Sequence, residues 1–312
     1  MRTFLVTGGA GFIGSHIAEA LVARGDRVRV LDNLSTGHLK NMSSFRERIE
    51  FIQADLLAAS SVAKAVRGVE CIFHHAALAS VPLSVERPLD VHAACATGTM
   101  ILLDEARRAG VRRVVYAASS SAYGNQPAPV KSETDLPAPL SPYAAAKLVG
   151  EMYCQAFTAT YDLETVALRY FNIFGPRQDP NSPYSAVIPL FITTMLAGNC
   201  PVIYGDGLQS RDFCFVSNVV QANLLAADAT EVSGRVFNVA SGKSTDLLTL
   251  LNILNSLLGL DVKPRHEPSR AGDVRESRAD ITEARRRLGY KPEIDFEDGL
   301  RRSIDYYKGI RD

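Results

Sequence analysis

The sequence predicts an α/β protein, a doubly wound parallel sheet followed by a smaller mixed α/β C-terminal domain. Three observations predict it. Short strand-like and helix-like runs take turns through the first half, as they do when helices wrap both faces of a parallel sheet. The strand-like runs are almost wholly apolar, as strands buried on both faces should be. Beyond about residue 170 the rhythm breaks into long loops rich in Pro, Asn and Gly, such as "GPRQDPNSPYSAVIP" and "VIYGDGLQSRDF", and loops of that length are usually functional.

The elements follow in order. "TFLVT" reads as the first strand, and "SHIAEALVARG" as the helix after it. "RVRVLD" and "EFIQAD" give the second and third strands, "AKAVRG" a helix, and "ECIFHHA" the fourth strand. "MILLDEARRAG" is helical and leads into "RRVVYAAS", the fifth strand. Alanine-rich helices are expected near 90 to 108 and 142 to 160, and "RVFNVAS" at 235 to 241 reads as a strand returning to the first sheet. Helical patterns near 244 to 258 and 295 to 309 close the chain. The expected division places residues 1–171 with about 212–241 in the first domain, and about 172–211 with 242–312 in the second.

A chain of 312 residues is long enough for a full-sized core. Its 34 basic residues balance 34 acidic ones, which leaves no charge field for nucleic acid or anionic lipid. No uninterrupted apolar stretch reaches membrane-spanning length, and "MRTFLVTGGAG" lacks the apolar core of a secretory leader. The five cysteines are scattered without a CxxC pair, which predicts reduced thiols and a cytoplasmic protein. His74 and His75 are adjacent, but no histidine has ligand spacing, so no metal site is expected.

The chemistry begins at "TGGAGFIG", between the first strand and its helix. Gly8, Gly11 and Gly14 are spaced for a tight turn, a close backbone approach to a pyrophosphate, and helix-on-strand packing. The helix N-terminus adds N–H donors and partial positive charge. Asp32, at the end of "RVRVLDN", is placed to accept both ribose hydroxyls and to repel a 2′-phosphate, which selects NAD over NADP. A strand-end turn beside Asn33 is the plainer reading of that acid. Asp55 in "QADL" ends the third strand, where it meets the expected position of the adenine edge.

"SPYAAAK" sets Tyr143 and Lys147 four residues apart on one helix face, started by Ser141 and Pro142. A free phenol has a pKa of about 10, and a nearby ammonium favours its phenolate. Such a tyrosine can take a proton from an alcohol while hydride leaves the carbon. Alone the pair would be unremarkable helical spacing. With the glycine turn and the three hydroxyls of "AASSSAYG", Ser119 to Ser121, it becomes a constellation.

Together "TGGAGFIGS", "DNLSTG", "HHAALASVP", "SSSAYG", "SPYAAAK", "RYFNIFGPRQDP", "YGDGLQSRDF" and "RAGDVRESRAD" make the chain resemble the extended short-chain dehydrogenase/reductase family from end to end. That resemblance implies a Rossmann-type domain binding NAD through Gly8, Gly11, Phe12, Ile13, Gly14, Asp32, Asn33, Asp55, Leu56, Ala76, Ala77, Tyr143, Lys147 and Tyr170. It implies Tyr143 as the base, Lys147 as the group that lowers its pKa and holds the nicotinamide ribose, and Ser119 or Ser120 on the reacting oxygen. An ungapped alignment of the strand selects Ser119, and a one-residue shift selects Ser120. Cys95 departs from the pattern, because the family generally has Asn there.

The second half is similar to nucleotide-sugar 4-epimerases, which implies a UDP-sugar substrate and a homodimer. Carried over by position, Ser80, Asn172, Ala186, Val187, Val202, Tyr204, Arg211, Arg270, Asp273 and Ser277 would bind the substrate, with Arg211 and Arg270 gripping the diphosphate. Related dehydratases and decarboxylases carry carboxylates where this chain has serines. Serines hold and polarise a hydroxyl, which suits a reaction with no net loss of hydride or proton. Ser277 stands where epimerases restricted to glucose and galactose have Tyr, leaving room for an N-acetyl group. The expected activity is therefore C4 epimerisation of UDP-GlcNAc and UDP-GalNAc, with UDP-Glc and UDP-Gal as further substrates. A UDP-glucuronate 4-epimerase is the alternative, though Asp179 has the wrong charge to hold a uronate. A catalytically silent NAD sensor on the same fold is the alternative outside enzymes.

Overall fold

In the computed structural model, residues 2–180, 186–269 and 275–310 are described. Seven strands form the main sheet: β1 (Thr3–Thr7), β2 (Arg27–Asp32), β3 (Ile49–Gln53), β4 (Cys71–His74), β5 (Arg113–Ser119), β6 (Glu164–Tyr170) and β7 (Arg235–Val239). Their spatial order is β7-β6-β5-β4-β1-β2-β3, and every pairing is parallel. The late strand "RVFNV" does return to the sheet edge beside β6. Succession reverses between β1 and β4, the place where an open parallel sheet leaves a crevice for a ligand.

Apolar strands need cover on both faces, and the helices provide it. On one face α1 (Phe12–Ala23) buries Ile17 and Leu21 against Val6, Val30 and residues of a later helix, Val216–Asp228. On the other, α2 (Ala59–Ala65), α3 (Gly98–Arg108) and α4 (Pro142–Tyr161) bury Val62, Leu102, Leu103, Cys154 and Phe157 against Leu5, Ile72 and Val114. Ahead of α3 lie two short helices, Val81–Glu86 and Pro88–His92, and a single wide π turn, Ala93–Thr97.

The C-terminal part has its own core. Helices α5 (Val187–Leu196), α6 (Val216–Asp228), α7 (Leu247–Leu258) and α8 (Phe296–Gly309) bring Phe191, Val216, Leu250, Leu254, Leu300 and Ile304 together. Phe174, Phe213, Phe215 and Phe296 form an aromatic cluster in it, with ring centroids 5.3 to 6.4 Å apart. A small four-stranded sheet orders Thr245–Asp246, Ser210–Arg211, Glu276–Ala279 and Val130–Lys131. Its last strand comes from the first half of the chain. Among the described residues no helix is long and apolar enough to cross a membrane. Cys71, Cys95, Cys154 and Cys214 are buried, and Cys200 is exposed.

Candidate active site

A cavity of about 1310 Å³ opens at the C-terminal ends of the parallel strands, and residues following β1 to β6 line it. After β1 the chain turns at Gly8, whose φ is +69°. A side chain there would put its Cβ 2.6 Å from the backbone nitrogen of Ala76. Gly14, in the first turn of α1, is tighter still, because an added Cβ would lie 2.2 Å from the Gly8 carbonyl oxygen. Only glycine lets strand, turn and helix close up this far. No side chain caps α1 at Gly11, so its first N–H groups keep their donor capacity and partial positive charge beside Gly11, Phe12, Ile13 and Gly14 in the wall.

Asp32 is buried at the end of β2, where its carboxylate accepts from the backbone N–H of Ala10 at 2.9 Å and of Leu34 at 2.8 Å. These two bonds fix the carboxylate at the cavity wall. One strand further, the Asn33 amide donates to Asp55 at 2.7 Å, tying the ends of β2 and β3 together. Asp55, Leu56, Ala76 and Ala77 complete this part of the wall. The cradle and the acid fit an NAD pyrophosphate and ribose.

The proposed catalytic groups share the wall with that cradle. Ser141 caps α4 by accepting from the Ala144 N–H at 3.1 Å, and Pro142 opens the helix, so Tyr143 and Lys147 project from its first two turns. The Tyr143 side chain lies beside that of Ser119, the last residue of β5, and the serine favours the ionised phenol. Ser119 Oγ also lies 2.8 Å from Ser121 Oγ and accepts from the Ser121 N–H at 3.2 Å. Ser120 lines the cavity as well. Lys147 is 4% exposed, its ammonium 4.3 Å from the centroid of the Tyr116 ring.

Burial dominates the titration of both groups. It pushes the Tyr143 phenol above its ordinary value, against the lowering influence of Ser119, and pulls Lys147 below its own. Lys147 is expected from the sequence to lower the phenol, whereas burial and the nearby Cys95 raise it. The protonated phenol is thus the resting form, and it is a donor.

Tyr170 and Asn172 follow on β6 and just beyond it, and Ser80, Ala186, Val187, Val202, Tyr204 and Arg211 line the cavity from the substrate side. Ser80 also has a local task, capping the short helix after it through the Leu83 N–H at 3.1 Å. Ser277 pairs in register with Arg211 but is not among the residues lining the cavity. Arg270 and Asp273 lie outside the described residues. Asp212, next to Arg211, is fully buried and accepts from the backbone N–H of Ser241, Gly242 and Ala279 and from the Ser241 hydroxyl.

Cys95 occupies the π turn, 1% exposed, packed with Val91, Ala96, Ala146 and Tyr143. Its thiol makes only a long, weak contact to the Leu78 carbonyl at 4.0 Å. A residue the sequence argument passed over is His75. Its ring stacks on Tyr170, and its Nε2 lies 2.9 Å from the Tyr170 hydroxyl, which also bonds the Asn223 amide. The available signal was its place, one residue past an apolar strand at the cavity end of the sheet. Its neighbour His74 is structural, held between Thr7 at 2.7 Å and Thr99 at 2.9 Å. Among the described residues no cluster of His, Cys, Asp and Glu could hold a metal.

This geometry has close counterparts. The UDP-glucose 4-epimerase of Mycolicibacterium smegmatis is 39% identical over 313 aligned positions, covering 99% of each chain. The solved UDP-N-acetylglucosamine 4-epimerase of Methanobrevibacter ruminantium, in complex with UDP-N-acetylmuramic acid, superposes with a TM-score of 0.95 at 40% identity over 99% of both chains. The Thermus thermophilus UDP-glucose 4-epimerase, solved with NAD, gives a TM-score of 0.90 at 35% identity over 99% of both chains. Residues 4–240 match the model of the NAD dependent epimerase/dehydratase family. With its glycine turn, acid and Tyr143–Lys147 helix at the C-terminal ends of the parallel strands, the chain belongs to the NAD dependent epimerase/dehydratase family.

Proposed function

We propose that the protein is an NAD-dependent UDP-hexose 4-epimerase that acts on UDP-GlcNAc and UDP-GalNAc and also accepts UDP-Glc and UDP-Gal. One observation carries this reading. Tyr143, Ser119 and Lys147 share one stretch of the cavity wall, and the segment 117–124 that bears the serines holds no carboxylate. A site of this kind can oxidise a secondary alcohol and restore it, but it has no evident acid for elimination. The similarity to two UDP-sugar 4-epimerases solved with ligands supports the same substrate class.

NAD, held by the Gly8–Gly14 turn and Asp32, would supply the hydride acceptor and donor that C4 epimerisation needs. Tyr143 holds the C4 oxygen and moves its proton, and the Lys147 ammonium eases the phenol toward phenolate as the alcohol is oxidised. Ser119, beside the phenol, holds the same oxygen by its hydroxyl. Arg211 and Arg270 neutralise the diphosphate, and Val202 and Tyr204 border the uracil. In this reading residues 1–171 with about 212–241 hold NAD, and the remainder holds the nucleotide sugar. Ser277, which stands where glucose- and galactose-restricted relatives are expected to carry Tyr, supports acceptance of an N-acetyl group by its small size. The protein works in the cytoplasm as a homodimer.

The test is incubation with UDP-GlcNAc, UDP-glucose and UDP-glucuronate, each without added NAD⁺, followed by resolution of the sugars. Interconversion of the C4 epimers of UDP-GlcNAc is expected, and denatured protein should release NAD(H) in near-stoichiometric amount. Loss of water or CO₂, or steady NADH accumulation, would remove the epimerase reading. Turnover of UDP-glucuronate alone would replace the substrate. A Ser277→Tyr change should suppress the acetylated sugars and spare UDP-glucose.

A further inference from the structure

Tyr143, Lys147 and Glu151 recur every fourth residue on α4 and so share one helix face. Lys147 and Glu151 are both 4% exposed. A lysine and a glutamate at this spacing in a buried setting would be expected to pair. They do not. The Glu151 carboxylate instead takes two bonds from Arg169 on β6, from Nε at 2.9 Å and from Nη2 at 2.7 Å. Arg169 is itself 3% exposed and its guanidinium lies 4.7 Å over the Tyr123 ring.

Lys147 is left with a different set of neighbours. Tyr116 from β5 lies under its ammonium, and Cys95 in the π turn, Cys154 on its own helix, and His74 and His75 at the end of β4 are close enough to act on it electrostatically. No carboxylate is among them. We propose that Arg169 is a positioning residue that sequesters the Glu151 carboxylate, so that the Lys147 ammonium stays free for the tyrosine and cofactor beside it. This rests on the reading of Tyr143 and Lys147 as the catalytic pair. It differs from a simple anchoring role in one respect: it makes the harm of losing Arg169 depend on Glu151.

The experiment compares Arg169→Met, Glu151→Gln and the double variant in the full-length protein. The Lys147 titration is followed by NMR with ¹³C at lysine Cε, assigned through a Lys147→Met control. In R169M the released carboxylate should raise the Lys147 midpoint by about one pH unit. It should also lower kcat about tenfold while KM stays within about twofold, as expected when a catalytic group is displaced but binding is not. Adding E151Q should bring both midpoint and kcat back to within about threefold of the E151Q single variant. If R169M does not fold, Arg169→Gln, which frees one of the two carboxylate oxygens, serves the same comparison with a smaller shift expected in the same direction. A double variant as impaired as the single, or an unmoved Lys147 midpoint, would overturn the proposal. The titration is read in the purified protein without added sugar nucleotide, so it answers separately from the activity. A shift and its rescue without turnover in wild type would refute the epimerase reading alone, and wild-type turnover without the shift would refute only the role of Arg169.

Discussion

The Tyr116 hydroxyl donates to the backbone carbonyl of Lys147 at 3.1 Å, while the same tyrosine ring carries the Lys147 ammonium 4.3 Å from its centroid. One buried side chain on β5 thus sets both the height of the catalytic helix and the resting place of its lysine. Gly150 makes the contact possible, since a Cβ at that position would lie 2.2 Å from the Tyr116 hydroxyl.

Gly150→Ala should therefore behave as an overpacked core variant, destabilised by about 1–3 kcal/mol. Denaturant unfolding measures the loss, and unchanged stability would mean that α4 does not press on Tyr116 as described.

The phosphate cradle can be tested apart from the chemistry. Gly14→Ala places a methyl against the Gly8 carbonyl, which backbone cannot easily yield. Protein purified with this change should carry at least about tenfold less NAD(H), the loss of roughly 1.4 kcal/mol of binding or more. Full cofactor content in the variant would contradict the close approach of turn and helix.

Two histidines predict a pH dependence of stability. Burial pulls His16 down to about 4 and His75 to about 3. Both are neutral in the folded protein at pH 7, while their unfolded counterparts protonate near 6.5. Between these values the unfolded chain binds more protons, so stability is complete above about 6.5 and falls as pH drops toward the folded values. By pH 5 each histidine should remove up to about 2 kcal/mol. Thermal melts of wild type and His16→Gln at pH 7 and 5 check this. The variant should lose less on acidification, and parallel losses would exclude His16 as a source.

Asp212 predicts a split between stability and binding. Its carboxylate accepts four bonds from Ser241, Gly242 and Ala279, all in the segments that flank Arg211. Asp212→Asn turns an amide N–H toward donors and should cost about 2–3 kcal/mol. Calorimetry with UDP should also show weaker binding, because Arg211 is then less firmly placed. Retained affinity with lowered stability would confine Asp212 to the fold.

The sheet was legible because its strands repeat one signal. Runs such as "FLV" and "VVYAA" have no polar face, and only a strand covered on both sides tolerates that. The glycine turn and the Tyr143–Lys147 spacing were legible because each carries its mechanism in a short stretch. What escaped has no local period. The two-residue strand Val130–Lys131 shows no alternation, and the π turn at Cys95 reads as ordinary helix. Arg169 sits inside the apolar run "VALRYF", where sequence gives no hint that its partner is eighteen residues back on a helix. His75 was hidden by its neighbour, since an adjacent pair first suggests metal and here the two rings serve separate networks.

The strand Val130–Lys131 has a further consequence. It pairs with Arg278 and Ala279, and the Lys131 carbonyl accepts from Asn238 and from the Asp280 N–H. During synthesis those partners reach it only after nearly the whole chain has left the ribosome. Until then a nascent chain presents an open strand edge about 150 residues behind its growing end. Closure of the small sheet is therefore a late, long-range event, and truncation before residue 278 should strand the first half with an unpaired edge. A C-terminal deletion that spares every residue lining the cavity would still be expected to aggregate.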